Sequence, residues 1–227
     1  SRIRVALDGP GSSGKSSVGA AAAATLGYRF LDTGIVYRAI TLAAVVRDIE
    51  PTDEAALVAD VPELELVADE SGNLRQVRLA GEDVTDRLHV GEVDRNVSAV
   101  SAQPAVRAAL LQRQREVAAP GDVILAGRDI GTVVLPDAEL KLWLEVSAEE
   151  RARRRAMQRG VTFESEEGQR ILADLVRRDH LDSTRKTAPL QAAEDAVIVT
   201  SDGRDFDETV TEVVRIIEDS AERTAGA

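Results

Sequence analysis

Residues 3–26 read IRVALDGPGSSGKSSVGAAAAATL and decide the fold class of the chain. The apolar run at 3–7 predicts a short strand that runs into a turn. Residues 15–26 are rich in alanine, which favours a helix, and Gly27 supplies a C-terminal stop. The loop at 9–16 has the form G-x-x-x-x-G-K-S and lies between the strand and the helix, where this motif must lie.

The chemistry of this loop suits phosphate groups. Successive backbone N–H groups of a glycine-rich loop point inward, and the helix N-terminus adds a partial positive charge. A side chain at Gly14 would obstruct the close approach of a phosphate. Lys15 supplies a mobile cation, and the Ser16 hydroxyl can ligate magnesium. The loop therefore predicts binding of a nucleoside triphosphate, but not what the triphosphate is used for.

The rest of the chain alternates between strand and helix patterns. Further short strands are predicted at 28–31, 122–126, 140–146 and 196–200. Helices are predicted at 35–47, 53–61, 90–117 with a break at Pro104, 147–159 and 166–180, and in a C-terminal segment striped by Val210, Val213, Val214 and Ile217. Five strands that alternate with helices predict an α/β fold, in which helices cover both faces of a mostly parallel sheet.

One segment departs from this alternation. Residues 64–67 and 76–79 alternate apolar and polar side chains with period two, and Ser71, Gly72 and Asn73 between them favour a turn. We therefore expect a small antiparallel insert at 64–98.

Composition excludes several classes of function. The 28 Lys and Arg against 40 Asp and Glu give a net charge of −12, which disfavours a general nucleic-acid binder or an anionic-membrane binder. With no cysteine and two histidines, disulfides, thiol catalysis and multi-histidine metal sites are excluded. No apolar run approaches the roughly 18 residues of a membrane span, and the first residues lack the apolar core of a secretory signal. We expect a cytoplasmic protein that binds neither nucleic acid nor membranes.

Two uses of the triphosphate are disfavoured. A switch GTPase needs an Asn-Lys-x-Asp sequence after a strand to read guanine, and no predicted strand end offers one. A motor needs a strand that ends in an acidic pair, whereas the strand at 122–126 is followed by Gly127, Arg128 and Asp129. A small-molecule kinase remains the better interpretation.

Many arginines lie near turns or on regular helix faces, where they could hold a second anion. They are Arg38, Arg107, Arg128, Arg151, Arg154, Arg155, Arg178 and Arg185. Taken alone, the arginines of 151–155 are more typical of a solvated basic helix, and those of 178–185 of a surface salt-bridge set around Asp182. Taken with the phosphate loop, both groups of arginines are better interpreted as binding a phosphoryl group in transfer. Phosphoryl transfer needs positioning and charge neutralisation, which arginines supply.

Five blocks of sequence carry a more specific resemblance. They are GPGSSGKSS (9–17), LDTGIVYRA (31–39), AGRDIGTVVLPDA (126–138), SAEERARRR (147–155) and DHLDSTRKTAPL (179–190). In order and spacing these blocks resemble the bacterial cytidylate kinases, from about residue 3 to residue 217. The resemblance implies a three-layer P-loop kinase with a five-stranded parallel sheet. It divides the chain into a core at 1–63, 99–146 and 186–227, a CMP-binding insert at 64–98, and a short helical lid with adjoining helices at 147–185.

The resemblance also implies roles for individual residues by matching position. ATP would be held by Gly9, Pro10, Gly11, Ser12, Ser13, Gly14, Lys15, Ser16 and Ser17, with Ser16 on the magnesium ion. Cytosine would be surrounded by Thr33, Ser98, Arg107 and Asp129, with Tyr37 either in the same pocket or in packing. The ribose would meet Arg178 and Asp182, and the acceptor phosphate would be held by Arg38, Arg128 and Arg185. The groups acting on the transferring phosphoryl would be Lys15, Arg128, Arg151, Arg154, Arg155 and Arg185, of which those at 151–155 form the lid.

The implied reaction is magnesium-dependent transfer of the γ-phosphoryl group of ATP to CMP or dCMP, by a monomer. Two alternatives stay open at this level. One is another small-molecule kinase on the same scaffold, acting on a different monophosphate or on a metabolite such as shikimate. The other is a nucleotide-dependent interaction switch without catalysis.

Overall fold

The structure, a computed structural model, describes residues 2–70 and 72–226. Its strands are β1 Arg4–Asp8, β2 Arg29–Asp32, β3 Leu64–Ala68, β4 Leu74–Leu79, β5 Glu82–Asp83, β6 Val123–Gly127, β7 Leu140–Glu145 and β8 Val197–Thr200. Its α-helices are α1 Lys15–Leu26, α2 Gly34–Val46, α3 Glu54–Ala59, α4 Gly91–Ser101, α5 Pro104–Ala118, α6 Ala148–Gln158, α7 Glu166–Thr184 and α8 Phe206–Ala225.

The sheet has five parallel strands in the order β2-β6-β1-β7-β8. β1 lies at the centre of this set, with Asp8 opposite Gly127 of β6 on one side and opposite Trp143 of β7 on the other. β6 is buried along its whole length because helices cover both of its faces. The predicted α/β fold with a mostly parallel sheet is confirmed.

The insert is antiparallel, as predicted, but it is continuous with the main sheet. β3 pairs with β4 in antiparallel register, and the short strand β5, which the sequence pattern did not indicate, pairs with β4. β4 then joins β2 in parallel through the single pair Leu31 and Leu74. In the predicted turn, Gly72 has a positive φ of 79°, whereas Ser71 lies outside the described residues.

Several boundaries differ from those predicted. α7 continues four residues past the predicted end, and the pattern at 90–117 is two helices, because Pro104 begins α5 rather than interrupting one helix. Residues Ile130–Val134 form a π-helical turn that no sequence pattern indicated. No helix among residues 2–70 and 72–226 is long and apolar enough to cross a membrane.

The apolar side chains form separate clusters. One joins α1 and α8 to the strands, and another fills the lobe made by α2, α4, α5 and the insert. A small cluster of Ala152, Ala156, Ile171 and Leu175 holds α6 against α7. Helices α6 and α7, which contain the predicted lid, therefore share a small apolar core of their own.

Candidate active site

A cleft of about 600 Å³ opens where β1, β2 and β6 end. The carboxyl ends of parallel strands meet at one edge of a sheet, so the residues that follow these strands converge there. The phosphate loop follows β1, Thr33 follows β2, and Arg128 and Asp129 follow β6. The insert and the lid helices supply the remaining walls. The fold thus brings together segments that are far apart in sequence.

The phosphate loop depends on glycine at two positions. Gly14 precedes α1 with φ 87° and ψ 2°, a left-handed conformation that favours glycine. A Cβ atom at Gly9 would lie 2.6 Å from the carbonyl oxygen of Leu144. Gly11, Ser12, Gly14, Lys15, Ser16 and Ser17 line the cleft, whereas Gly9, Pro10 and Ser13 lie behind its wall.

Lys15 lies at the floor of the cleft. Its side chain is buried, and Nζ donates to the carbonyl oxygen of Pro10 across 2.8 Å. Burial lowers the pKa of Lys15 to about 8, and the positive charge of Arg128 adds to this effect, whereas Asp32 and Asp8 oppose it. The cation is therefore held in an environment where its charge acts strongly on a neighbouring anion.

Asp32 is a site residue to which the sequence analysis gave no role. The Ser16 hydroxyl donates to Asp32 Oδ2 across 2.5 Å, and Asp32 Oδ1 accepts from the backbone N–H of Gly34 across 2.9 Å. Its place at the end of the strand that follows the phosphate-loop helix in the sequence was the signal that could have identified it. No group of three or more His, Asp or Glu side chains within the described ranges could hold a metal ion alone. A hydroxyl beside one carboxylate instead fits a magnesium ion that keeps waters and phosphate oxygens as its other ligands.

Asp8, the last residue of β1, caps a turn. Its Oδ1 accepts from the N–H of Ile130 across 2.8 Å, and its Oδ2 accepts from the N–H of Gly131 across 2.7 Å. The side chain is almost fully buried, and burial raises the pKa of Asp8 to about 6.

Arg107 and Asp129 form a buried ion pair on the wall of the cleft. Arg107 also donates to the carbonyl oxygen of Ser101 across 2.9 Å, and its Cζ lies 5.3 Å from the centroid of the Tyr37 ring. Tyr37 therefore both lines the cleft and packs in the lobe. Beside this pair, the Thr33 hydroxyl donates to the carbonyl oxygen of Ala126 across 2.9 Å.

Ser98 completes this part of the cleft. It lies on α4 and lines the cleft, and its Oγ is buried without a hydrogen-bond partner among the described residues. A buried hydroxyl without a partner is costly, so it is a candidate contact for a ligand.

Asp182 stands behind the arginines rather than on the wall of the cleft. It is 2% exposed and forms an ion pair with Arg128, and its Oδ1 lies 3.8 Å from Nη1 of Arg185. The alternative of an exposed salt-bridge set at 178–185 is therefore wrong, because this carboxylate is buried. Burial lowers the pKa of Arg128 to about 9 and that of Arg185 to about 10, and each is lowered further by neighbouring arginines.

Arg178 and Arg38 extend the cluster of positive charge. Arg178 lines the cleft with its Nε buried and without a hydrogen-bond partner in the part of the chain that the structure describes. Burial and the charge of Arg38 lower the pKa of Arg178. Arg38 Nη1 donates to the carbonyl oxygen of Leu88 across 2.9 Å and to Asp94 Oδ1 across 2.8 Å. The insert thus orients Arg38 toward the cleft.

The lid arginines have three different environments. Arg151 is 3% exposed and donates to the carbonyl oxygen of Gly11 across 2.9 Å and to Asp179 across 2.5 Å. Arg154 donates to Glu150 and to Ser201. Arg155, at the rim, makes a single long contact of 3.5 Å to Gln158 among the described residues. The alternative of a solvated basic helix is thus wrong for Arg151.

Comparisons with known proteins agree with this geometry. The family model described as cytidylate kinase matches residues 5–219. A cytidylate kinase of Mycobacterium leprae is 48% identical over 198 residues, which are 87% of each chain. A cytidylate kinase of Corynebacterium glutamicum is 43% identical over 226 residues, 97% of this chain and 96% of that one. A solved gluconokinase from Sinorhizobium meliloti has a TM-score of 0.51 at 17% identity, covering 99% of this chain and 96% of that one, and so shares the fold.

Proposed function

Because the chain belongs to the cytidylate kinase family, we propose that it uses magnesium and ATP to phosphorylate both CMP and dCMP. The chain is a kinase, a phosphotransferase of the nucleoside monophosphate kinase type. The observation that carries the proposal is that one cleft contains the phosphate loop, a cluster of buried arginines and the ion pair of Arg107 with Asp129.

Two neighbouring groups fit the edge of cytosine. Cytosine presents an exocyclic amine as donor and ring acceptors beside it. The Asp129 carboxylate can accept from the amine, while the Arg107 guanidinium donates to the ring acceptors. Ser98, whose hydroxyl is buried without a partner among the described residues, offers a further contact. Uracil presents a carbonyl oxygen in place of the amine, so it would face Asp129 acceptor to acceptor.

The arginines of the cleft are suited to bind the phosphate of the monophosphate acceptor and the phosphoryl group in transfer. Arg38, Arg128 and Arg185 would hold the acceptor phosphate, and burial of the last two strengthens their attraction to an anion. Asp182 would keep Arg128 and Arg185 in place, a role that fits its burial behind them. A direct contact of Asp182 with the ribose hydroxyl would need these arginines to move toward the phosphate.

Lys15 and the loop N–H groups would hold the phosphates of ATP, with the lysine nearest to the charge that develops during transfer. A bound magnesium ion, held by Ser16 with Asp32 beside it, would supply charge neutralisation and orient the phosphates. Arg151, Arg154 and Arg155 would approach the phosphates as the lid closes, and closure excludes the water that would otherwise hydrolyse ATP.

We also propose that the enzyme is a cytoplasmic monomer. One chain supplies the phosphate loop, the arginine cluster and the ion pair of Arg107 with Asp129, so the proposed reaction needs no group from a second copy. Sedimentation of the purified protein at assay concentration should give the mass of one chain of 24.3 kDa.

The test is an ADP-release assay across a panel of acceptors, with and without magnesium. CMP and dCMP should support rapid ADP release that depends on magnesium, and UMP should be used at least about tenfold less efficiently. Shikimate and gluconate should give no release above background. Equal use of CMP and UMP would contradict the assignment of Asp129 and Arg107 to the base. ATP binding without acceptor-dependent turnover would instead favour an interaction switch.

A further inference from the structure

Asp129 has an unusual position for a residue whose carboxylate faces the cleft. It directly precedes the π-helical turn Ile130–Val134, and its carbonyl oxygen accepts from the N–H of Val133 across 2.9 Å and of Val134 across 3.2 Å. An aspartate that directly precedes a helical turn commonly uses its carboxylate to accept from the N–H of the second or third residue of that turn. Asp129 makes no such hydrogen bond and pairs with Arg107 instead.

Asp8 caps this turn from a different strand. The two carboxylate oxygens of Asp8 accept from the N–H groups of Ile130 and Gly131. The N–H of Gly131, the second residue of the turn, is the one that the Asp129 carboxylate could otherwise serve. Asp8 ends β1, and its register partner Gly127 ends β6, so strand pairing places the carboxylate beside the turn. Asp8 also directly precedes the phosphate loop.

The turn is closely enclosed, so its N–H groups have few other acceptors. Ile130 is fully buried, and a Cβ atom at Gly131 would lie 3.1 Å from Cδ of Lys141 and 3.4 Å from Oδ2 of Asp8. A buried N–H without an acceptor is costly. If the Asp8 carboxylate were removed, the carboxylate of Asp129, which directly precedes the turn, would be placed to accept from the N–H of Gly131.

We propose that Asp8 is a positioning residue for recognition of the nucleobase, because it caps the 130–134 turn and thereby keeps the Asp129 carboxylate available to cytosine. This inference rests on the proposed function, since it takes Asp129 as the group that reads the base. Burial raises the pKa of Asp8 to about 6. Assays at about pH 7.5 therefore keep the carboxylate ionised and able to accept at both oxygens.

The first test is Asp8→Asn, which keeps the shape of the side chain but replaces one acceptor with an N–H that faces another N–H. We expect the ratio of kcat/KM for CMP over UMP to fall about tenfold or more, with KM for CMP raised and KM for ATP changed less than about twofold. The matched control is Asp122→Asn. Asp122 accepts from the N–H of Ile3 across 3.3 Å at the opposite end of β1, and its replacement should leave the ratio unchanged.

A double-mutant cycle separates positioning from general damage. Asp129→Ala alone should remove most of the preference for CMP, and Asp8→Asn added to it should then change the ratio less than about twofold. A folded Asp8→Asn enzyme that keeps the full preference for CMP would overturn the proposal. Equal increases in KM for CMP and for ATP would overturn it as well, because they would indicate a structural role only.

If Asp8→Asn does not fold, amide hydrogen exchange in a second variant tests the capping role of Asp8. In Asp129→Asn, the amides of Ile130 and Gly131 should be as protected as in the unmodified protein, since Asp8 still caps them; lost protection would overturn the proposal. This measurement is independent of substrate. If the unmodified enzyme used CMP and UMP equally, the assignment of the base pocket would fail, and the exchange experiment would still decide whether Asp8 caps the turn.

Discussion

Arg151 donates from Nη1 to the carbonyl oxygen of Gly11 across 2.9 Å, so a side chain of the lid helix α6 contacts the phosphate loop directly. Its Nη2 donates to Asp179 of α7 across 2.5 Å, and its Nε donates to the carbonyl oxygen of Val146 across 3.2 Å. One guanidinium therefore connects the lid to the loop and joins the two lid helices to each other.

Replacement of Arg151 by lysine should keep the positive charge but remove the bridge between Gly11 and Asp179. An ammonium group is a point donor and cannot bridge Gly11 and Asp179 with the geometry of a planar fork. We expect kcat to fall about tenfold or more and the free energy of unfolding to fall by about 1–3 kcal/mol. Turnover and urea denaturation of R151K check this, with Arg153→Lys, on the same helix over the Phe163 ring, as the control.

Lys15→Met should reduce turnover without loss of the fold. The ammonium group contributes most as negative charge moves during transfer, so we expect kcat to fall by about 10²-fold or more. Circular dichroism establishes that the variant is folded. Near-normal turnover in a folded Lys15→Met enzyme would contradict the assignment of the loop.

The lowered pKa of Lys15 predicts a loss of activity at alkaline pH. Lysine is charged below its pKa, so the free enzyme should lose this cation as the pH rises through about 8. We expect kcat/KM for ATP to fall above that pH. Bound phosphates favour the charged lysine, so kcat should persist to higher pH than kcat/KM. Initial rates from about pH 6.5 to pH 9.5 check both profiles, and parallel profiles would contradict this explanation.

Asp182→Ala should impair the enzyme through the arginines it holds. Removal of a buried carboxylate leaves Arg128 and Arg185 close together without their partner, which we expect to cost about 3 kcal/mol or more in stability. KM should rise for CMP and dCMP alike, because both share the phosphate that these arginines would bind. A loss confined to CMP would instead show that Asp182 contacts the 2′-hydroxyl group.

Asp32→Asn should change the requirement for magnesium. The amide can no longer attract the cation, and its N–H would face the Ser16 hydroxyl that now donates to the carboxylate. We expect the magnesium concentration for half-maximal rate to rise about tenfold, with KM for CMP changed less than about twofold. Titration of the rate with magnesium checks this. Asp207→Asn, at an exposed position in α8, is the control and should behave as the unmodified enzyme.

The sequence predicted the elements whose determinants are local. The bounds of α1 agree with those predicted because the loop ends in Gly14 and the alanine run ends at Gly27. The burial of Arg151 and Asp182 was not predictable in the same way. A helical pattern gives the face on which a side chain lies, but not whether another helix or the phosphate loop covers that face.

The roles of Asp8 and Asp32 depended on long-range pairing. Both residues end strands, and their partners became apparent only once the order of the strands was known. The π-helical turn at 130–134 reads IGTVV, and its one glycine fits an irregular loop equally well, so its cap on β1 could not be anticipated.

The separate core of the lid has a consequence for heating. Ala152, Ala156, Ile171 and Leu175 bury little apolar area compared with the clusters around β1 and β6, so α6 and α7 should come apart at a lower temperature than the sheet. The proposed phosphoryl transfer uses the arginines of α6, whereas the main calorimetric transition would report the unfolding of the sheet. The enzyme should therefore lose activity at a lower temperature than that of the main calorimetric transition. Larger apolar side chains between α6 and α7 should bring these two temperatures closer together.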